Sequence, residues 1–161
     1  SVSLIESNEN ILILRSLSKG YSLAGLRFGY GIGPQNLLEP MLYKTRDSYN
    51  TSTVAQHLAT AAIGSADYAS SIWDKVRKSR SILTDGLNQM GLNTVPSQTN
   101  FVLCQVPNSV SAKGLYEDLK RQNILVRYFD QDRLKDRLRI SVGSDTENTA
   151  LLEAIRTLIK T

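Results

Sequence analysis

The sequence predicts an α/β chain whose second half is a small α+β domain, and three observations predict it. Residues 11–14, Ile-Leu-Ile-Leu, form an apolar run that reads as a buried strand and opens into a loop punctuated by glycines. Residues 66–90 set Tyr68, Ile72, Trp73, Val76, Ile82, Leu83 and Leu87 against Asp74, Lys75, Arg77, Lys78 and Arg80, the pattern of one long amphipathic helix with a solvated charged side. Beyond residue 91, short apolar runs alternate with helical patterns, so a sheet there needs helices over one face. The chain therefore divides into a strand-and-helix region over 1–65, a connecting helix over 66–90 and an α+β domain over 91–161.

Each element has a local reason. Residues 1–10 are a polar lead-in ending in a turn-like Ser7-Asn8-Glu9-Asn10. Gly29-Tyr30-Gly31-Ile32-Gly33-Pro34 lacks the G-x-G-x-x-G spacing of a dinucleotide fingerprint and reads as a strand followed by a turn. Leu37, Leu38, Met41 and Leu42 predict a helix over 35–46 that begins near Pro34. Residues 46–52 are a polar break, and 53–63 an Ala-rich helix holding the sole histidine, His57, to which no role is assigned. Gly91 is placed to cap the long helix. Strands are predicted at 101–106, 124–127 and 138–143. Ser111 caps a helix to about residue 121, and Ser144 or Asp145 caps a last helix through Lys160.

Chemistry concentrates where the first strand ends: Ser16-Leu17-Ser18-Lys19-Gly20-Tyr21-Ser22-Leu23-Ala24-Gly25-Leu26-Arg27-Phe28-Gly29-Tyr30. A lysine flanked by Ser and Gly at a strand mouth is placed to reach a ligand. Ser16 and Ser18 offer hydroxyls to a phosphate, and Arg27 offers a planar fork to its oxygens. An amine nucleophile beside an anion cradle suits a phosphate-bearing aldehyde cofactor, of which pyridoxal phosphate is the common one. A second site follows from strand alternation. Leu138, Ile140 and Val142 share one face, whereas Arg137, Arg139 and Ser141 share the other, so the arginine face meets solvent or a ligand.

The string S-L-S-K-x-x-x-L-A-G-L-R-x-G-Y resembles the lysine-loop signature of fold-type I pyridoxal-phosphate aminotransferases, and most closely the histidinol-phosphate aminotransferase group. The resemblance implies that Lys19 is the lysine that carries the cofactor and that Ser16, Ser18 and Arg27 hold its phosphate. L-R-I-S-V-G resembles the small-domain motif whose arginine, here Arg139, binds the substrate carboxylate. I-L-V-R resembles the group's phosphate-holding arginine, here Arg127, for which an ion-paired edge-strand arginine is an equal alternative. Arg137 has no motif support and reads as surface. Tyr49 and Asn50, in a D-S-Y-N break shared with that group, either approach the site or form a cap and turn.

On this resemblance, residues 1–65 end the large cofactor-binding α/β domain, and 91–161 form the small α+β domain of the fold. The implied reaction converts histidinol phosphate and 2-oxoglutarate to imidazole acetol phosphate and glutamate in histidine biosynthesis. The partners are a small amino donor and a 2-oxo acid, and a homodimer is expected. An aromatic or broad-range aminotransferase, or a phosphothreonine decarboxylase, are the alternatives of the same fold. Because the family's lysine loop lies past its middle, the chain is expected to be the C-terminal portion of a longer enzyme. The contacts to the cofactor ring, and those of the N-terminal arm across the dimer, would lie elsewhere.

Composition sets outer bounds. The 161 residues suffice for a real core, and 41% hydrophobic with 21% charged residues is ordinary for a globular chain. A net charge of +4 suits phosphates and carboxylates. A basic module for nucleic acid or protein is the remaining alternative. It leaves both motifs unexplained, and no aromatic-interleaved basic stripe supports it. No apolar run is long enough to span a membrane, no signal peptide opens the chain, and no metal site is expected. The single cysteine, Cys104, lies in an apolar run and reads as a core residue. It fits a reducing, cytoplasmic setting.

Overall fold

A computed structural model describes residues 2–159. It divides into two compact units, one through Ser71 and one from Ile72 onward.

The first unit opens with a short helix, α1 (Leu4–Ser7), within the stretch read as a polar lead-in. Strand β1 (Ile13–Ser16) pairs antiparallel with β2 (Gly29–Ile32), bringing Ser16 opposite Gly29 and Arg15 opposite Tyr30. The predicted strand thus lies two residues later than the apolar run, and it is not buried, since Leu14 is 76% exposed. Pairing with β2 sets its limits, and apolar content alone does not see that register. The helix expected over 35–46 breaks in two: α2 (Gln35–Pro40), then a π turn (Met41–Thr45). Pro40 has no N–H and its ring crowds the carbonyl four residues back, so the ladder continues only in the wider winding. In the polar break Asp47 Oδ1 accepts the Tyr49 amide at 3.1 Å, which makes a turn. The Ser52 hydroxyl then accepts the Ala55 amide at 3.1 Å and starts α3 (Thr53–Gly64).

Helix α4 (Ala66–Gln89) ends in a Schellman motif. Gly91 sits at φ +81°, its amide donates to the Asn88 carbonyl at 3.0 Å, and the Leu92 amide donates to the Leu87 carbonyl at 3.1 Å. Arg80 departs from the solvated face assigned to it. It donates to the Thr99 carbonyl at 2.6 Å and to Gln98 Oε1 at 3.3 Å.

In the second unit, β3 (Asn93–Thr94), β4 (Phe101–Gln105), β5 (Arg127–Tyr128) and β6 (Arg137–Ser141) form an antiparallel sheet of order β3-β4-β6-β5. Strand β3 is absent from the sequence reading, and β5 and β6 lie one to three residues from their predicted bounds. Two capped helices follow the expected scheme. Ser111 accepts the Gly114 amide to open α5 (Ala112–Arg121), and Ser144 forms a capping box with Glu147 to open α6 (Asp145–Leu158). The extension of α6 to Lys160 lies outside the described residues. Val102 opposite Ile140 and Cys104 opposite Leu138 face the helices. There they join Leu83, Leu87, Leu115, Leu119, Leu151 and Ile155 in one buried cluster. Burial pushes the Cys104 thiol up to about 11, so it is a neutral core group. Asn148, buried in the first turn of α6, accepts the Gly143 amide at 3.0 Å and donates to its carbonyl at 3.1 Å.

Candidate functional sites

The loop between β1 and β2 is closed by its own backbone. The Leu17 amide donates to the Phe28 carbonyl at 3.3 Å, the Leu23 amide donates to the Leu17 carbonyl at 3.1 Å, and the Leu17 side chain is 2% exposed. One buried leucine thus pins both ends of the loop. A turn follows in which the Ser22 amide donates to the Lys19 carbonyl at 3.1 Å, then a 3-10 turn (Ala24–Leu26). Ser22 and Arg27 hold left-handed backbone, at φ 57° and 55°, a conformation that costs a non-glycine residue about 1 kcal/mol or more.

This closure brings Ser16, Ser18, Lys19 and Arg27 into a single loop. The Ser16 hydroxyl accepts the Ser18 amide at 3.1 Å and keeps its own O–H to donate. Lys19 is exposed and takes part in no ion pair among the described residues. Arg27 Nη1 donates to the Ala24 carbonyl at 2.9 Å, which aims the guanidinium and leaves most of its N–H groups open. One unengaged amine, two hydroxyls and a fork make a donor set that fits a phosphate-bearing aldehyde.

The second site is the more exposed face of the four-stranded sheet, opposite the side that carries Val102, Cys104, Leu138 and Ile140. Arg139 lies opposite Arg127 on β5 and opposite Leu103 on β4, so both predicted arginines come together. The Arg139 guanidinium lies 5.3 Å from the Phe101 ring centre and 5.7 Å from that of Phe129, and the Arg127 guanidinium 5.2 Å from Phe129. Among the described residues neither guanidinium forms an ion pair. Arg137, read as surface, is half-buried. Its Nε is enclosed without a hydrogen bond and lies 3.6 Å from Asp136 Oδ1, while Asp136 Oδ2 accepts from Gln105 at 2.8 Å. The adjacent aspartate was the available signal. The aromatic partners Phe101 and Phe129 also escaped the sequence reading, although Phe129 follows Arg127 at the two-residue period of a strand face. His57 is exposed on α3, and Tyr49 is 96% exposed.

Comparison with known proteins places these residues in context. Residues 1–155 match the family model described as aminotransferase class I and II. A histidinol-phosphate aminotransferase 1 from Nostoc sp. is 45% identical over 160 residues, covering 99% of this chain and 45% of that protein. The crystal structure of histidinol-phosphate aminotransferase from Sinorhizobium meliloti in complex with pyridoxal-5'-phosphate superposes with a TM-score of 0.83 at 27% identity, covering 99% of this chain and 44% of that one. The enzyme of the same name from Clostridium acetobutylicum shares the fold, with a TM-score of 0.88 at 23% identity over 99% of this chain and 48% of that one. The chain spans about half the length of the relatives it matches. Among the described residues no helix is long and apolar enough to cross a membrane.

Proposed function

The chain belongs to the class I and II aminotransferase family, and from that premise we propose that the full-length protein transfers the amino group of histidinol phosphate to 2-oxoglutarate with pyridoxal phosphate. The 45% identity to the Nostoc relative supports the family's histidinol-phosphate branch. The observation that supports the choice of substrate is the Arg127–Arg139 pair, two arginines opposite each other on β5 and β6 and without an ion pair among the described residues. A phosphorylated amino alcohol brings the dianion that such a pair binds.

When bound, the cofactor supplies an electron sink for the carbon that bears the amino group. The chain's own residues do the rest. Arg27, with the Ser16 and Ser18 hydroxyls, holds the cofactor phosphate at the β1–β2 loop. The Lys19 amine anchors the cofactor between turnovers. Its amine would also take the proton from the substrate carbon that bears the amino group as general base, and hand it on as general acid. Arg139 seats the carboxylate of 2-oxoglutarate and glutamate, and with Arg127 it seats the donor's phosphate. Residues 1–65 serve the cofactor and 91–161 the substrate, joined by 66–90, in a cytoplasmic homodimer.

The full-length protein with pyridoxal phosphate is expected to show a visible absorption band, and borohydride followed by peptide mapping to place the label on Lys19. Lys19→Ala removes the label and lowers turnover by about a thousandfold or more. A label on another lysine overturns the assignment. So does faster turnover of aromatic amino acids, or decarboxylation of O-phosphothreonine, in a panel with histidinol phosphate.

A further inference from the structure

Like charges set directly opposite on a sheet repel, yet Arg127 and Arg139 face each other across β5 and β6. The usual remedy is a carboxylate between them, and among the described residues neither arginine has one. Both instead lie within 6 Å of one ring: the Phe129 centre is 5.2 Å from the Arg127 guanidinium carbon and 5.7 Å from that of Arg139. Phe101 supplies Arg139 with a second ring at 5.3 Å, whereas among the described residues Arg127 lies over the Phe129 ring alone.

We propose that Phe129 is a positioning residue, whose ring holds Arg127 and Arg139 together as an uncompensated pair ready for one phosphate dianion. This rests on the assignment of the pair to the donor's phosphate. A ring and a carboxylate would hold the cations differently. A carboxylate occupies the N–H edge of a guanidinium and cancels its charge. A ring attracts the cation through its π face, leaving charge and in-plane donors for an incoming anion. It also stiffens side chains that otherwise carry large rotamer freedom, so less entropy is lost when the anion binds.

The test uses the full-length holoenzyme and inorganic phosphate as the probe, with affinity read by calorimetry. In the holoenzyme the cofactor's own phosphate fills the loop of Ser16 and Arg27, so added phosphate reports on the arginine pair. Phe129→Leu keeps apolar bulk and removes the ring, and Phe129→Tyr keeps the ring. The leucine variant is expected to bind phosphate roughly fivefold to thirtyfold more weakly, the loss of two cation–π contacts, with the cofactor band unchanged. The tyrosine variant stays within about twofold of wild type. Wild-type affinity in the leucine variant overturns the proposal. So does equal loss in both variants, which means packing and not the ring face, and so does a wild type that binds no phosphate. Failure of the histidinol-phosphate reading shows separately, as absent turnover of that donor by a wild type whose phosphate affinity still responds to Phe129.

Discussion

The two compact units place their apolar residues in opposite ways. Among the described residues from Ile72 onward, fourteen buried ones form one cluster beneath the four-stranded sheet. Through Ser71, the buried hydrophobics among the described residues are Leu17 and the small side chains of Ala55, Ala59 and Ala69. Among the described residues, twelve large apolar side chains there stand exposed, against three in the second unit. In the second unit, the buried core and the proposed ligand site occupy opposite faces of one sheet, with Leu138 and Ile140 inward and Arg139 outward. In the first, the lysine loop is held by backbone hydrogen bonds and one buried leucine. Substitutions in the second core are therefore read in unfolding and, on the proposed assignment of the loop, those beside it in cofactor binding.

The largest effect separates two leucines. Leu138→Ala, at a position with no exposure, is expected to cost about 2–5 kcal/mol in urea unfolding of the 161-residue chain, from lost burial and the cavity left behind. Leu14→Ala, at 76% exposure, is expected to change stability by no more than about 0.5 kcal/mol. Equal costs at the two positions would break the contrast between the units.

Gly29 sharpens it from the other side. A Cβ there would lie 2.8 Å from the Arg15 carbonyl oxygen, so β1 and β2 must part where they close the lysine loop. Gly29→Ala in the full-length protein is expected to weaken pyridoxal phosphate binding by roughly tenfold, while the unfolding of the second unit's core moves little. Unchanged cofactor affinity would mean that the loop does not depend on the ribbon beneath it.

What the sequence made legible follows the same division. The starts of α5 and α6 could be read because Ser111 and Ser144 act on amides three residues away. Gly91 announced its cap for the same reason. The strands depend on partners distant in sequence. Ile13–Ser16 takes its limits from Gly29–Ile32. Asn93–Thr94 exists because Cys104 and Gln105 pair with it and Asn88 Oδ1 accepts the Thr94 amide at 3.0 Å. The candidate site residues were visible as motifs. That Arg127 and Arg139 would face each other over the same ring was not, because it needs the β5–β6 register.

The smallest expected effect tests whether an exposed corner of the second unit contributes independently of its core. Ser144 Oγ accepts the Glu147 amide, and Glu147 Oε2 accepts the Ser144 amide at 2.8 Å. Ser144→Ala should cost about 1 kcal/mol at neutral pH, as for other lost N-caps. The hydrogen bonds from the Ser144 amide and hydroxyl hold the Glu147 carboxyl below its ordinary 4.5. A depressed carboxylate stabilises the fold above its unfolded pKa, and that contribution is lost as pH falls from 4.5 through the lower folded value. Glu147→Gln preserves the shape of the box but lacks the charge. Its deficit in urea midpoint should therefore be present at pH 7 and close as the wild type is acidified through that window. A deficit that persists undiminished at pH 3 would mean that Glu147 acts through packing and not through its charge at the start of α6, where the helix dipole favours an anion.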